Sequence, residues 1–244
     1  MMDKKIILGY TRRLLAIIPS IFFCALGVAL LVSPEWGSDP LTTFEIGLSN
    51  VFHVQLGTAA LVFEGIVFFV FLIIRRDLVH LGTLAWCFLI GPFENVWLDF
   101  LAPILPPVDA MSFGLKVGCI IAGSLIIILT LAYYIPIGLG YQSSDIFAFA
   151  MADLLHKSYG IGLSVSYCIL FALGVFMGAS WGIGTLIAVF VYGPVIDRLL
   201  PYFKPSTYKI AVMTEEKDNE KTNVFVWLTW SCNIVYIYNV YDLW

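Results

Sequence analysis

The sequence predicts an all-α, polytopic membrane protein: six transmembrane helices arranged as two inverted three-helix repeats, with a cytoplasmic N-terminus. Three observations predict it. Hydrophobic residues make up 60% of the 244 positions and charged residues only 12%, where a soluble domain carries about a quarter charged residues. The basic residues fall almost entirely on one side of the spans. The two halves of the chain also resemble each other.

Six stretches are apolar enough to cross a bilayer, which takes about 20 helical residues each. The first is 14–33. It follows Lys4, Lys5, Arg12 and Arg13 but is longer than a signal-peptide core and has no small-x-small cleavage site after it, so it reads as a retained span. The second, 56–74, stops at Arg75-Arg76, and the third, 79–101, contains the helix-breaking pair Gly91-Pro92. The fourth, 115–137, lies in an uncharged run. The fifth and sixth, 161–179 and 183–201, share another such run, with Gly178-Ala-Ser-Trp-Gly182 as the turn between them.

Positive charge sets the orientation. With the N-terminus inside, twelve of the thirteen Lys and Arg residues are cytoplasmic, and only Lys116 is not. The first outer segment carries Glu35, Asp39 and Glu45 with no basic residue. Residues 1–203 form one membrane domain and 204–244 a cytoplasmic or interfacial tail. Within that tail, Asn223–Trp244 is rich in Trp and Tyr and reads either as an interfacial segment or as a seventh span or disordered tail.

Repeat one covers about 10–105 and repeat two about 112–203. GTLAWCFLIGP at 82–92 matches GTLIAVFVYGP at 184–194, and the block Gly37–Phe44 lies opposite Gly140–Phe147. Each repeat holds three spans. An odd number makes consecutive copies cross in opposite senses, the arrangement of many secondary transporters, whose sites lie where helices break at the repeat interface. The same pattern also fits duplication of a stable unit that transports nothing.

The Gly37–Phe44 block, the Gly57-Thr58 start of span two and the GTL…GP segments resemble the YczE/YyaS/YitT group of bacterial integral membrane proteins, most closely the YczE branch, over residues 10–203. In that group's Gly-x-x-Pro pattern, Gly37 and Pro40 fit, while Leu41 and Thr42 fill the next two places. The second copy has Asp145 as its acid and Ser143 in place of the proline. The resemblance implies a multi-pass protein of the bacterial cytoplasmic membrane and no particular reaction.

Polar groups inside spans mark candidate sites. Glu64 sits midway along span two, either as a substrate-facing or proton-coupling acid or as a neutral acid bonded to a neighbouring helix. Glu94 and Asn95 follow the broken-helix positions Gly91 and Pro92, and Asp197 follows Gly193 and Pro194. Freed backbone groups there suit ions or polar substrates. The alternative is a packing kink with Glu94, Asp99 and Asp197 hydrated near the interface. Two polar blocks complete the set: Asp39, Thr42, Thr43 and Glu45 in the first copy, Gln142, Ser143, Ser144 and Asp145 in the second. They precede stretches too short to span, 41–53 and 146–156, expected as re-entrant or interfacial helices capped by Thr42, Ser144 or Asp145. Their caps either line a pathway or close ordinary surface loops.

His53 and His156 fall at similar places in the two copies and suit capping. The ladder Gly174, Gly178, Gly182 suits close approach to a neighbouring helix, in this chain or in a second subunit. The five cysteines lack metal-ligand or disulfide spacing. No catalytic signature is present. The expected partners are therefore the lipid bilayer and a small molecule or ion, with no nucleic acid, cofactor or metal. The leading reading is a small-molecule carrier or exporter that uses Glu64, Glu94, Asn95, Asp145 and Asp197. The runner-up is a non-enzymatic accessory or scaffold for another envelope or biosynthetic protein, in a homodimer or an accessory-protein complex.

Overall fold

The computed structural model describes residues 4–76 and 78–210, and every regular element among them is a helix. The long helices are α1 (Lys4–Val32), α3 (Leu56–Ile74), α4 (Leu81–Leu101), α5 (Phe113–Tyr134) and α7 (Tyr159–Phe176). A last one is assembled from α8 (Ile183–Ile187), a π-helical turn at Ala188–Tyr192 and α9 (Gly193–Ile210). Two short helices, α2 (Pro40–Phe52) and α6 (Ser143–Leu155), lie between the long ones.

The six long helical segments are long and apolar enough to cross a membrane. Their outward faces carry large apolar side chains such as Phe176, Ile73 and Phe190, which are 90%, 83% and 69% exposed and need lipid rather than water around them. The chain is a multi-pass membrane protein. The last span runs to Thr207, beyond the boundary at 203 that the sequence predicts, and α9 continues to Ile210 through Pro201 and Pro205. Asn223–Trp244 lies outside the described residues.

At about 1.5 Å per residue, the 13-residue helices α2 and α6 reach only about 20 Å and cannot span. Each begins in the protein interior, at Pro40–Thr43 and Ser143–Ile146, and ends exposed, at Val51–Phe52 and Leu154–Leu155. Both end the same way: His53 and His156 adopt left-handed φ of 54° and 52° and close the last turn. The core between them is packed by Ile17, Ile21, Trp86, Leu131, Ile146 and Leu163, all fully buried.

Two glycine contacts fix where the short helices enter. Gly37 (φ 99°) leaves no room for a Cβ against Thr185 and Gly182. Gly140 (φ 107°) does the same against Thr83 and His80. Each block thus docks on the GTL segment of the other half. Backbone bonds reinforce this: Gly82 N donates to Leu139 O at 2.7 Å, and Gly184 N to Trp36 O at 3.0 Å.

The helix breaks expected at the Gly-Pro pairs take another form. α4 passes through Gly91-Pro92 without interruption. In the second copy the strain is absorbed one turn earlier, where the π-helical turn Ala188–Tyr192 ends against Gly193-Pro194. A wider turn removes the clash between the proline ring and the carbonyl four residues before it. No half-helix end opens at either pair. The glycines serve packing instead: the Gly57 and Gly91 backbones touch, as do those of Gly160 and Gly193, and a Cβ at any of the four would collide with the facing carbonyl.

The glycine ladder expected along span five is not one helical face, because α7 ends at Phe176 and only Gly174 lies in it. Gly174 packs against the Thr43 backbone of α2, and Gly182 against Trp36, so the neighbour belongs to the same chain. Gly178 has nothing within 4 Å and serves as a turn residue with φ 81°.

Candidate functional site

The buried ends of the two short helices converge on one small cavity. It is lined by Asp39, Thr42 and Glu45 at the start of α2, Glu64 of α3, Glu94 of α4 and Gln142 before α6, with Cys24 and Tyr167 completing the wall. Its volume is about 20 Å³, room for roughly one water molecule. Four acidic residues therefore line one small space, and Asp39, Glu45, Glu64 and Glu94 are each no more than 5% exposed. Lys and Arg contribute nothing to the lining.

The first carboxylate is held by its own helix. Asp39 is the N-cap of α2: Oδ1 accepts from the backbone N of Leu41 at 3.1 Å and of Thr42 at 3.2 Å, and Oδ2 from Thr42 Oγ1 at 2.5 Å. The residue expected to cap, Thr42, is a donor to the cap instead. A carboxylate here satisfies orphan amides and meets the positive end of the helix dipole.

The second is held by a helix it does not belong to. Glu64 projects from the middle of α3 to the start of α6, where Oε1 accepts from Ser143 Oγ at 2.6 Å and from Ser143 N at 3.3 Å. Gln142, the N-cap residue of α6, makes no side-chain cap bond, so Glu64 closes that helix from outside. Cys87 Sγ on α4 donates to the Glu64 backbone carbonyl at 3.2 Å. Neither Ser144 nor Asp145 is the cap. Asp145 is wholly buried and accepts at Oδ1 from Tyr159 Oη at 2.6 Å, which ties α6 to the start of α7.

Glu94 is different. It is buried, not hydrated near an interface, and its Oε2 has no hydrogen-bond partner among the described residues. Glu45 stands within electrostatic reach of Glu94, Glu64 and Asp39. A buried ionised carboxylate needs donors, a cation or a proton. Of the four cavity acids, Asp39 and Glu64 take donors from helix starts.

The other two residues singled out by the sequence lie elsewhere. Asn95 Oδ1 accepts from Gly57 N at 3.3 Å and Asp197 Oδ1 from Gly160 N at 2.8 Å, so each binds an amide at the start of the preceding long helix. Asp197 also borders an open groove between α7 and α9, lined by Ile161, Val165 and Phe190, which does not reach the cavity. Cys24 and Tyr167 are cavity residues that the sequence reading did not single out. Tyr167 follows Glu64 by the same 103 residues that separate His53 from His156, so the repeat offset pointed to it.

The profile of DUF6198, a family of unknown function, matches residues 11–201. The chain belongs to that family. Its matched region takes in all six candidate spans except the last residues of the sixth, together with both short helices and the cavity. No curated protein and no solved structure matches the chain.

Proposed function

We propose that this DUF6198 protein is a carrier or exporter of a small molecule or ion in the bacterial cytoplasmic membrane, built on two inverted three-span repeats with its N-terminus inside. One observation carries the reading: the carboxyl-lined cavity where the buried starts of α2 and α6 meet. An apolar bundle has no need of four buried acids, and each costs several kcal/mol, about, if left charged and unpaired. Short helices whose positive ends point inward, lining a polar site near mid-membrane, are a construction that secondary transporters use. The reciprocal docking of Gly37 on Thr185 and of Gly140 on Thr83 supports an arrangement of two matched halves. Movement of a solute needs no covalent chemistry, and the reading is non-enzymatic. We also take the family to be a relative of the YczE branch, on the Gly37–Phe44 block and the GTL…GP segments.

The cavity's size favours a second reading. A space of about 20 Å³ also suits a static accessory or scaffold in which the acids serve packing and helix capping. Reconstitution separates the two. Purified protein in proteoliposomes should exchange protons or labelled solute across the bilayer, and Glu94→Gln, which removes the buried acid that lacks a full set of partners, should abolish flux while expression is retained. No flux with any solute tried, alongside co-purification of a partner, would favour the scaffold, and full flux in the variant would remove that acid from the pathway.

A further inference from the structure

We infer that the cavity binds a water-sized monovalent cation, an alkali or ammonium ion, with Glu45 and Glu94 as its charged ligands. The inference deepens the carrier reading and rests on the same cavity. It follows from how the hydrogen-bond donors are shared among the carboxylates. Asp39 takes the amides at the start of α2, and Glu64 takes the amide and hydroxyl of Ser143 at the start of α6. Those two groups are structural, and their charge is answered by the helix ends. Glu94 is 2% exposed, lines the cavity and keeps an oxygen without a partner. Glu45, also 2% exposed, lines the same wall.

Size and chemistry select the ion. The cavity has room for roughly one water-sized occupant. Its remaining polar lining residues, Thr42, Gln142, Tyr167 and Cys24, include no base. Oxygen ligands suit hard cations. Among the described residues no three His, Cys, Asp or Glu are grouped to hold a metal ion, so a cation here would rest on two acids and neutral oxygens. A monovalent ion enters as the proton on one of the two ligand acids leaves, so the net charge of the site is unchanged. The titratable groups that line the cavity beside those two acids are Cys24 from α1, Asp39 capping α2, Glu64 from α3 and Tyr167 from α7.

The test uses the full chain in detergent micelles, titrated with NaCl, KCl, NH4Cl, choline chloride or MgCl2 at constant ionic strength. Melting temperature and proton release in weak buffer are followed. At least one of the three small monovalent salts should raise the melting temperature saturably and release protons, and choline should do neither. Glu94→Gln and Glu45→Gln should each weaken the apparent affinity by about tenfold or more, the loss of one charged ligand. Exposed Glu35→Gln serves as the control and should bind like the parent. A choline response equal to that of every small monovalent salt, a response to magnesium alone, or an unchanged affinity in Glu94→Gln would each overturn the assignment. Saturable binding without flux in proteoliposomes would leave the cation site standing and remove the carrier. Flux without any cation response would do the reverse.

Discussion

Glu64 and Glu94 are both glutamates buried in neighbouring helices and lining one cavity, yet their surroundings assign them different work. Glu64 holds the start of another helix, so its truncation should be felt in stability. Glu64→Ala leaves Ser143 N and Oγ without their acceptor inside the protein. That should cost about 1–3 kcal/mol, seen as a lower melting temperature in micelles, while Glu64→Gln keeps an acceptor and should cost less. Glu94→Gln should be neutral or stabilising without added salt, because an amide removes a buried acid that lacks a full set of partners. A Glu94→Gln variant that melts well below the parent would contradict this division. The sequence made Glu64 visible as an acid in an apolar run. It gave no sign that the partner would be Ser143, 79 residues away, because a cap supplied by a different helix leaves no local spacing to read.

At the level of elements, the short helices were legible and the helix breaks were not. Stretches 41–53 and 146–156 are too short to span, and they became α2 and α6 within a few residues. The cap residues were misplaced because Thr42, Ser144 and Asp145 are all good formers of caps and composition alone cannot choose among them. The Gly-Pro pairs misled for a different reason. Proline forbids one hydrogen bond, but a helix can continue through it, and the second copy spreads the strain into a π-helical turn. What the pairs do instead is bring helices together. Gly91→Ala and Gly193→Ala would each drive a Cβ into the facing carbonyl of Gly57 or Gly160. Each should destabilise by about 1–3 kcal/mol or reduce folded yield. Gly118→Ala, on α5 with nothing within 4 Å, should leave the melting temperature unchanged. Equal tolerance at all three positions in a thermal-shift series would show that α3–α4 and α7–α9 do not pack at these glycines.

For the whole molecule, the crossing of α1 and α5 joins the two halves. A Cβ at Gly27 would lie 2.7 Å from Ile127 and 3.0 Å from the Gly123 carbonyl, and one at Gly123 would meet the Gly27 carbonyl at 2.7 Å. The composition and the charge distribution foretold how many spans there would be, but not this pairing, since contacts between distant helices depend on which small residues happen to face each other. The sense of insertion supplies the sharpest test. With three spans per repeat, the exposed ends of α2 and α6 belong on opposite faces of the membrane: His53 outside, and His156 inside together with Arg75 and Asp153, which pair at 2.8 Å. All five cysteines, Cys232 included, are first replaced by alanine or serine. Single cysteines are then introduced at His53 or His156. A membrane-impermeant maleimide applied to intact cells should label the first and spare the second, and everted vesicles should reverse the result. Labelling of both from one face would mean that the two short helices enter from a common side. The positive starts of α2 and α6 could then not approach the cavity from opposite leaflets, and access could not alternate by exchanging the roles of two matched halves.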